Sequence, residues 1–324
     1  MNNQLIIKAK SIATFALIAI FFSCEKPLSY SIVKNWPIVP EALVLGQVTG
    51  VDVNDSDEIV VFHRADRGWM DPMPDNPIKL PTIFIFDSET GELVDYFGEN
   101  EFIMPHGLSI DRKNNIWITD VGAHQVKKFS SDGSLLLSIG EYGKSGQDID
   151  HFARPTDVSF DTIGNVFVSD GYWNTRVIKF SEDGNYIAQW GEPGDQPGQF
   201  NLPHGISIDQ NNQVYVADRS NSRIQIFDDQ GNYIDFVGRD QVGRPFSVAI
   251  LNEMIFVIDG GDQPDNTRSD VYVLNVNDKK MKYKFDASLS VDESNLGHDI
   301  AVDSYGAIYV ADAWAKTLRK FELK

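Results

Sequence analysis

Pro105-His106-Gly107-Leu108-Ser109-Ile110-Asp111 is followed by Asn115-Ile116-Trp117-Ile118-Thr119-Asp120, then by Gln125-Val126-Lys127-Lys128-Phe129, Asp132-Gly133 and Leu136-Leu137-Ser138-Ile139-Gly140. Apolar residues alternate within each run, and turn-forming residues separate the runs. That is the pattern of four short antiparallel strands. The unit recurs from Pro155 to Gly191 and from Pro203 to Gly238, and weaker copies start near Val48, Pro245 and Gly297. Six copies in about 290 residues give roughly 40–50 residues each, the size of a propeller blade. A lone four-stranded blade cannot bury both faces, whereas blades stacked around an axis bury them and leave only short edges. Val166, Val168, Val214 and Val216, spaced two apart within their strands, then lie on one face. The sequence predicts an all-β fold, a six-bladed β-propeller over residues 32–324. The stretch from Ile32 to Trp36 is expected to close the ring as a strand of the last blade. A β-sandwich would not repeat Asp-Gly and Pro-X-Gly at a fixed period.

The chain has 324 residues, a formal net charge of −19 and one cysteine. One cysteine cannot form an intrachain disulfide or a cysteine-based zinc cluster. Strong acidity argues against nucleic acid, whose phosphates need a basic surface. Lys8 and Lys10 precede the uncharged, mostly apolar run from Ile12 to Phe22, which is too short to span a bilayer and suits a secretory signal. The single cysteine, Cys24, follows Phe21-Phe22-Ser23. Residues 1–23 therefore resemble a bacterial lipoprotein signal, with Cys24 as the lipidated first residue and 24–31 as a tether. Removing 1–23 removes two lysines and no acid, which takes the charge to −21. The expectation is an exported monomer anchored to the cell envelope through a lipid on Cys24.

Aligning the repeats places Thr49, His106, Thr156, His204, Phe246 and His298 at one position. A second landmark, 14 residues later, is His63, Asp120, Asp170, Asp218 and Asp312, with Asp259 after 13 in blade five. Three histidines thus recur in alternate blades, on the innermost strands that line a propeller's channel. Their imidazoles are expected to meet with near-threefold symmetry. Three protein ligands with one open position is what a catalytic zinc needs. His63, His124 and His151 are read as structural or supporting. One residue past the second landmark stand Arg64 and Arg219, and one further in blade three stands Tyr172. Two guanidiniums near a metal suit an anionic substrate, since each can grip a carboxylate in a two-pronged fashion.

These residues carry a resemblance. Gly-Gln-Val at 46–48, Val-Phe-His-Arg at 61–64, Pro-His-Gly-Leu-Ser-Ile-Asp at 105–111 and Val-Phe-Val-Ser-Asp-Gly-Tyr at 166–172 contribute to it. So do Pro-Gly-Gln-Phe at 197–200, Val-Ala-Asp-Arg at 216–219 and His-Asp-Ile at 298–300. The chain from about Leu45 to Phe321 resembles the lyase domain of peptidylglycine α-amidating monooxygenase, a six-bladed propeller of NHL-type repeats. The resemblance implies cleavage of a peptidyl-α-hydroxyglycine into a peptide amide and glyoxylate. It implies zinc on His106, His204 and His298, Tyr172 as the base, and Arg64 and Arg219 as substrate contacts. It also implies a structural calcium on the Asp299 side chain and the carbonyls of Val51 and Leu108, an oxygen set that suits a hard cation. Asp157, the matching residue in blade three, is read as an acid that occurs there without metal. The substrate would be a small anion or a peptide with a terminal carboxylate.

For Tyr172 to accept a proton, its pKa of about 10 must fall through nearby positive charge, with zinc and Arg64 as the expected sources. Departures from the family are also visible. Tyr215, Ile226 and Trp173 stand where family cysteines would be, and Leu296-Gly297 replaces a methionine-bearing pocket wall before the last zinc histidine. No copper-binding monooxygenase domain is expected beside the six blades, so a related α-hydroxy amide is also an expected substrate. Two other functions stay open at this point. One is a non-catalytic propeller lipoprotein that binds a protein or glycan. The other is a lactone or ester hydrolase, although such enzymes usually place acids and Asn at the axis, where this chain has His, Thr and Phe.

Overall fold

A computed structural model describes residues 29–263, 268–289 and 295–324. The proposed signal and Cys24 lie outside the described residues. Six four-stranded antiparallel sheets form the described fold. Blade one comprises Val48–Val53, Glu58–His63, Ile83–Asp87 and Leu93–Phe97. Blades two to five follow in chain order and start with Pro105–Ile110, Asp157–Phe160, Pro203–Ile208 and Pro245–Leu251. Blade six contains Gly297–Val302, Ile308–Asp312 and Thr317–Leu323. Its fourth strand is Tyr30–Ile32, paired with Thr317–Leu323 through Tyr30↔Leu323 and Ile32↔Phe321. The first and last described strands therefore close the ring by hydrogen bonding. The closing strand starts two residues before the Ile32–Trp36 stretch expected for it and ends at Ile32, so Tyr30 and Ser31 belong to the sheet and not to a tether. Trp36 instead packs its indole against Phe86 and Tyr309, sealing blade one to blade six.

The first strands of successive blades touch all the way around, including first to last, and so surround the axis. Period-two alternation explains how the blades bind one another. Val60 and Phe62 point to blade two and meet Leu108, Ile116 and Ile118. Their neighbours Ile59 and Val61 point the other way and meet Tyr309, Ala311 and Leu318 of blade six. Equivalent apolar clusters fill the other four interfaces. Second and third strands are buried on both faces, while fourth strands such as Leu135–Ile139 are largely exposed.

Candidate active site

Five of the six first strands slip register where the aligned residue sits. The ladder to the second strand shifts between Val48 and Gly50, Pro105 and Leu108, Pro203 and Ile206, Pro245 and Ser247, and Gly297 and Asp299. In blade three pairing begins at Asp157, one residue past Thr156. A bulge frees a residue from the pleat and re-aims its side chain, and here it turns the aligned side chains to the axis. Gly107, just after His106, is required by close approach. A Cβ there would lie 2.5 Å from the Thr156 carbonyl oxygen.

The three histidines meet as expected. Ring centroids of His106, His204 and His298 are 4.6–4.9 Å apart in every pair. Each Nδ1 lies against the backbone carbonyl of the aligned residue in the next blade: Thr156 at 2.6 Å, Phe246 at 2.8 Å and Thr49 at 2.7 Å. A carbonyl only accepts, so each Nδ1 carries the proton and each Nε2 presents a lone pair. The potential ligand atoms of the three residues all lie within 4.8 Å of one another. Burial, with the neighbouring imidazoles, holds His106 and His204 well below the ordinary histidine range. Burial, with Arg64, holds His298 at about 3. Three neutral, pre-oriented imidazoles form a donor set that fits a zinc ion.

Above this ring lies a cavity of about 300 Å³ lined by Arg64, Trp69, Tyr172, Arg219, Leu296 and Trp314, among others. The Tyr172 hydroxyl is 3.0 Å from Nε2 of His106 and 3.5 Å from Nε2 of His204. Burial raises the Tyr172 pKa above its ordinary 10, although Arg219, Arg64 and Arg154 all pull it down. The expected fall is therefore not produced by the protein's own charges, because desolvating the phenolate outweighs three guanidiniums.

The two arginines are not equivalent. Arg64 is buried and, among the described residues, donates to neutral groups, the Pro105 carbonyl at 3.0 Å and Gln47 Oε1 at 2.8 Å. Burial draws it down to about 10, which leaves it cationic at neutral pH. Arg219 stacks on Phe246 at 3.7 Å and pairs with Asp262 at 2.6 Å, and Asp262 is shared with Arg244.

The NHL repeat profile matches residues 102–129 and 200–227. A Caenorhabditis elegans protein named as a peptidyl-alpha-hydroxyglycine alpha-amidating lyase is 36% identical over 240 residues, covering 68% of this chain and 68% of its own length. The chain belongs to the amidating-lyase family. Peptidyl-glycine alpha-amidating monooxygenase B of Xenopus laevis is 36% identical over 308 residues, which cover 89% of this chain. The match spans about a third of that longer relative, 35% of its length. A solved gluconolactonase from Xanthomonas campestris, at 14% identity and a TM-score of 0.61 over 87% of this chain and 89% of its own, shares the fold alone.

The three positions where the resemblance implied cysteines hold Tyr215, Ile226 and Trp173. Tyr215 and Ile226 sit directly opposite each other across two strands, both buried in the interface between blades four and five. Trp173 is exposed and lies under the Arg154 guanidinium at 3.8 Å. The remaining histidines have local partners. His63 Nδ1 accepts from the Ala65 amide, His124 Nδ1 accepts from the Arg154 amide, and His151 meets Asp148 and Glu141.

Farther along the same first strands, Asp52, Asp157 and Asp299 line an axial cavity of about 140 Å³ together with Val51 and Leu108. Asp299 accepts from the amides of Val51 and Ile300. Asp52 accepts from Ile110 and Val53, and Asp157 accepts from Ile206. Burial pushes Asp299 up to about 7 and Asp52 up to about 6. Burial and the nearby Asp299 push Asp157 well above the carboxylate range. Asp157 Oδ1 is buried without a partner. Asp157 was expected to stand apart from any metal, yet the ring brings it to the cavity that holds Asp299. This oxygen-rich set fits a hard cation such as calcium.

Sequence reasoning missed Trp69, Trp314 and the Asp262–Arg244 pair. Trp314 follows Asp312 by two residues, the offset of Tyr172 from Asp170, so reading the register into blade six finds it. Trp69 and Asp262 lie in loops outside the repeat and carry no such signal.

Proposed function

We propose that the chain is a carbon–nitrogen lyase that splits an α-hydroxyglycine-type amide into an amide and glyoxylate. His106, His204 and His298 would hold zinc, and Asp299 with the carbonyls of Val51 and Leu108 would hold a structural calcium. The observation that carries this reading is the Tyr172 hydroxyl 3.0 Å from the metal-facing nitrogen of His106, in a cavity shared with Arg64 and Arg219. Zinc, when bound, supplies positive charge beside the substrate oxygens and the phenol.

The residues do the rest. Arg64, which has no ion-pair partner among the described residues, binds the terminal carboxylate, and Arg219 flanks it. Tyr172 in its phenolate form takes the proton of the carbinol hydroxyl. As that oxygen forms the aldehyde C=O, the C–N bond breaks and its electron pair leaves on nitrogen, which takes back one proton. R-CO-NH-CH(OH)-COO⁻ thereby gives R-CO-NH₂ and OHC-COO⁻ with no other reactant. Walls of Phe246 and Leu296 limit water around the breaking bond.

Cys24 and the apolar run before it support export and lipid anchoring to the cell envelope. Incorporation of labelled palmitate that disappears in Cys24→Ala tests this. For the chemistry, the test is metal analysis of the purified protein together with glyoxylate assayed from an acylated α-hydroxyglycine. Zinc near one per chain with glyoxylate release supports the lyase. Zinc without glyoxylate from any such amide rejects the substrate class, and absence of zinc rejects the metal.

A further inference from the structure

In a six-bladed ring, blades three and six stand half a turn apart. Tyr172 and Trp314 occupy equivalent loop positions in those two blades and both line the mouth cavity. They therefore face each other across the axis. Trp69 leans on Tyr172, with ring centroids 5.3 Å apart, and carries the Arg64 guanidinium 5.0 Å from its own centroid. Trp314 is differently placed. Its backbone amide is fixed to Asp312 Oδ1 at 3.0 Å, yet its indole has no ring or cation partner among the described residues and is 49% exposed. Leu296 and Ala313 continue the same wall.

A large aromatic left open at the rim of a cavity is costly in water and gains most from an apolar ligand group. The geometry of the substrate says which group that is. Its carboxylate end belongs at Arg64 and its carbinol beside Tyr172. The acyl side of the scissile nitrogen must then leave toward the open mouth, past Trp314.

We propose that Trp314, with Leu296 beside it, forms a subsite for the side chain of the residue that acylates the α-hydroxyglycine nitrogen, and that it selects aromatic or large apolar side chains there. The proposal takes the orientation of the substrate from the lyase reading, but the subsite is measurable without turnover.

The test compares binding of N-acetyl-Phe-Gly and N-acetyl-Gly-Gly, which lack the reactive hydroxyl, to the zinc-loaded full chain by calorimetry. The expected result is about tenfold tighter binding of the Phe compound, the size of one good aromatic contact plus its apolar burial. Trp314→Ala should bring the two compounds close to parity, and Trp314→Phe should restore the difference. Equal binding in the wild type, or a Phe preference that survives Trp314→Ala, overturns the subsite. The wild-type comparison needs no variant, so a misfolded Trp314→Ala does not shelter the proposal. Glyoxylate release from the hydroxylated forms of the same pair is scored separately. Release without Phe preference overturns the subsite and keeps the lyase. Phe-selective binding without release from either keeps the subsite and rejects the lyase.

Discussion

The Tyr172 hydroxyl lies 3.0 Å from Nε2 of His106 and 3.5 Å from Nε2 of His204, so one phenol oxygen reaches two of the three nitrogens that face the axis. The proposed proton transfer and the proposed metal site thus share one small region. The phenol is no longer independent of what occupies the histidine ring.

The first prediction follows from this contact. Tyr172→Phe keeps the ring that packs beside His106 and removes only the oxygen. Zinc content should stay near the wild-type level, while kcat should fall by about 10²–10⁴, the usual worth of a positioned acid–base group. Zinc analysis and a glyoxylate assay on the same preparation check both halves.

A second prediction separates the arginines. Arg64 donates to neutral acceptors, whereas Arg219 is already paired with Asp262. Arg64→Gln should therefore raise KM for a substrate with a free carboxylate by about tenfold to a hundredfold, the range of a charge-assisted hydrogen bond. Arg219→Gln should raise KM less. Substrates whose carboxylate is replaced by a carboxamide should lose most of their sensitivity to Arg64→Gln. Steady-state kinetics on the matched pair reads this difference.

A third prediction concerns the acids on the axis. Asp52 moves up to about 6 and Asp299 to about 7 from an ordinary 3.8. The folded chain then binds more protons than the unfolded chain between about pH 4 and pH 7, so these groups lower stability as pH rises through that window. A bound cation removes the penalty. Calcium should raise Tm more at about pH 7.5 than at about pH 5, and chelation should reverse the gain. Asp157→Asn should raise the Tm of the calcium-free protein at about pH 7.5, because it removes a buried acid whose ionised form burial and Asp299 disfavour, and should shrink the calcium effect. Thermal melts with and without chelator settle the signs.

Much of this was legible in the sequence because the repeat is its own alignment. Turn residues and alternation mark the four strands, and the fixed spacing puts His106, His204 and His298 at one position on alternate blades. Other features depend on long-range geometry. The bulges that aim the histidines inward have no local signature beyond Pro-His-Gly. The carbonyls that fix their tautomers belong to the next blade. Asp157 looks like a lone acid until ring closure sets it beside Asp299. Trp69 sits in the long loop between the second and third strands of blade one, where periodicity says nothing. Tyr30 and Ser31 join a sheet whose other strands begin only at Gly297, beyond the reach of local pattern.

A fourth prediction tests the packing between blades four and five. Ile226 is buried and opposes Tyr215 across the ladder of blade four. Ile226→Ala should cost about 2–4 kcal/mol of unfolding free energy through lost apolar burial and an unfilled cavity. Denaturant melts should show this without change in zinc content, since the site is built from the first strands.

The most direct measurement is single-turnover product analysis of an acylated α-hydroxyglycine with the zinc-loaded full chain. A lyase built on the ring of His106, His204 and His298 should release amide and glyoxylate in equal amounts, and Tyr172→Phe should abolish the fast release while zinc stays bound. Stoichiometric zinc with no glyoxylate above the uncatalysed rate, or Tyr172→Phe releasing it as fast as the wild type, would contradict this chemistry.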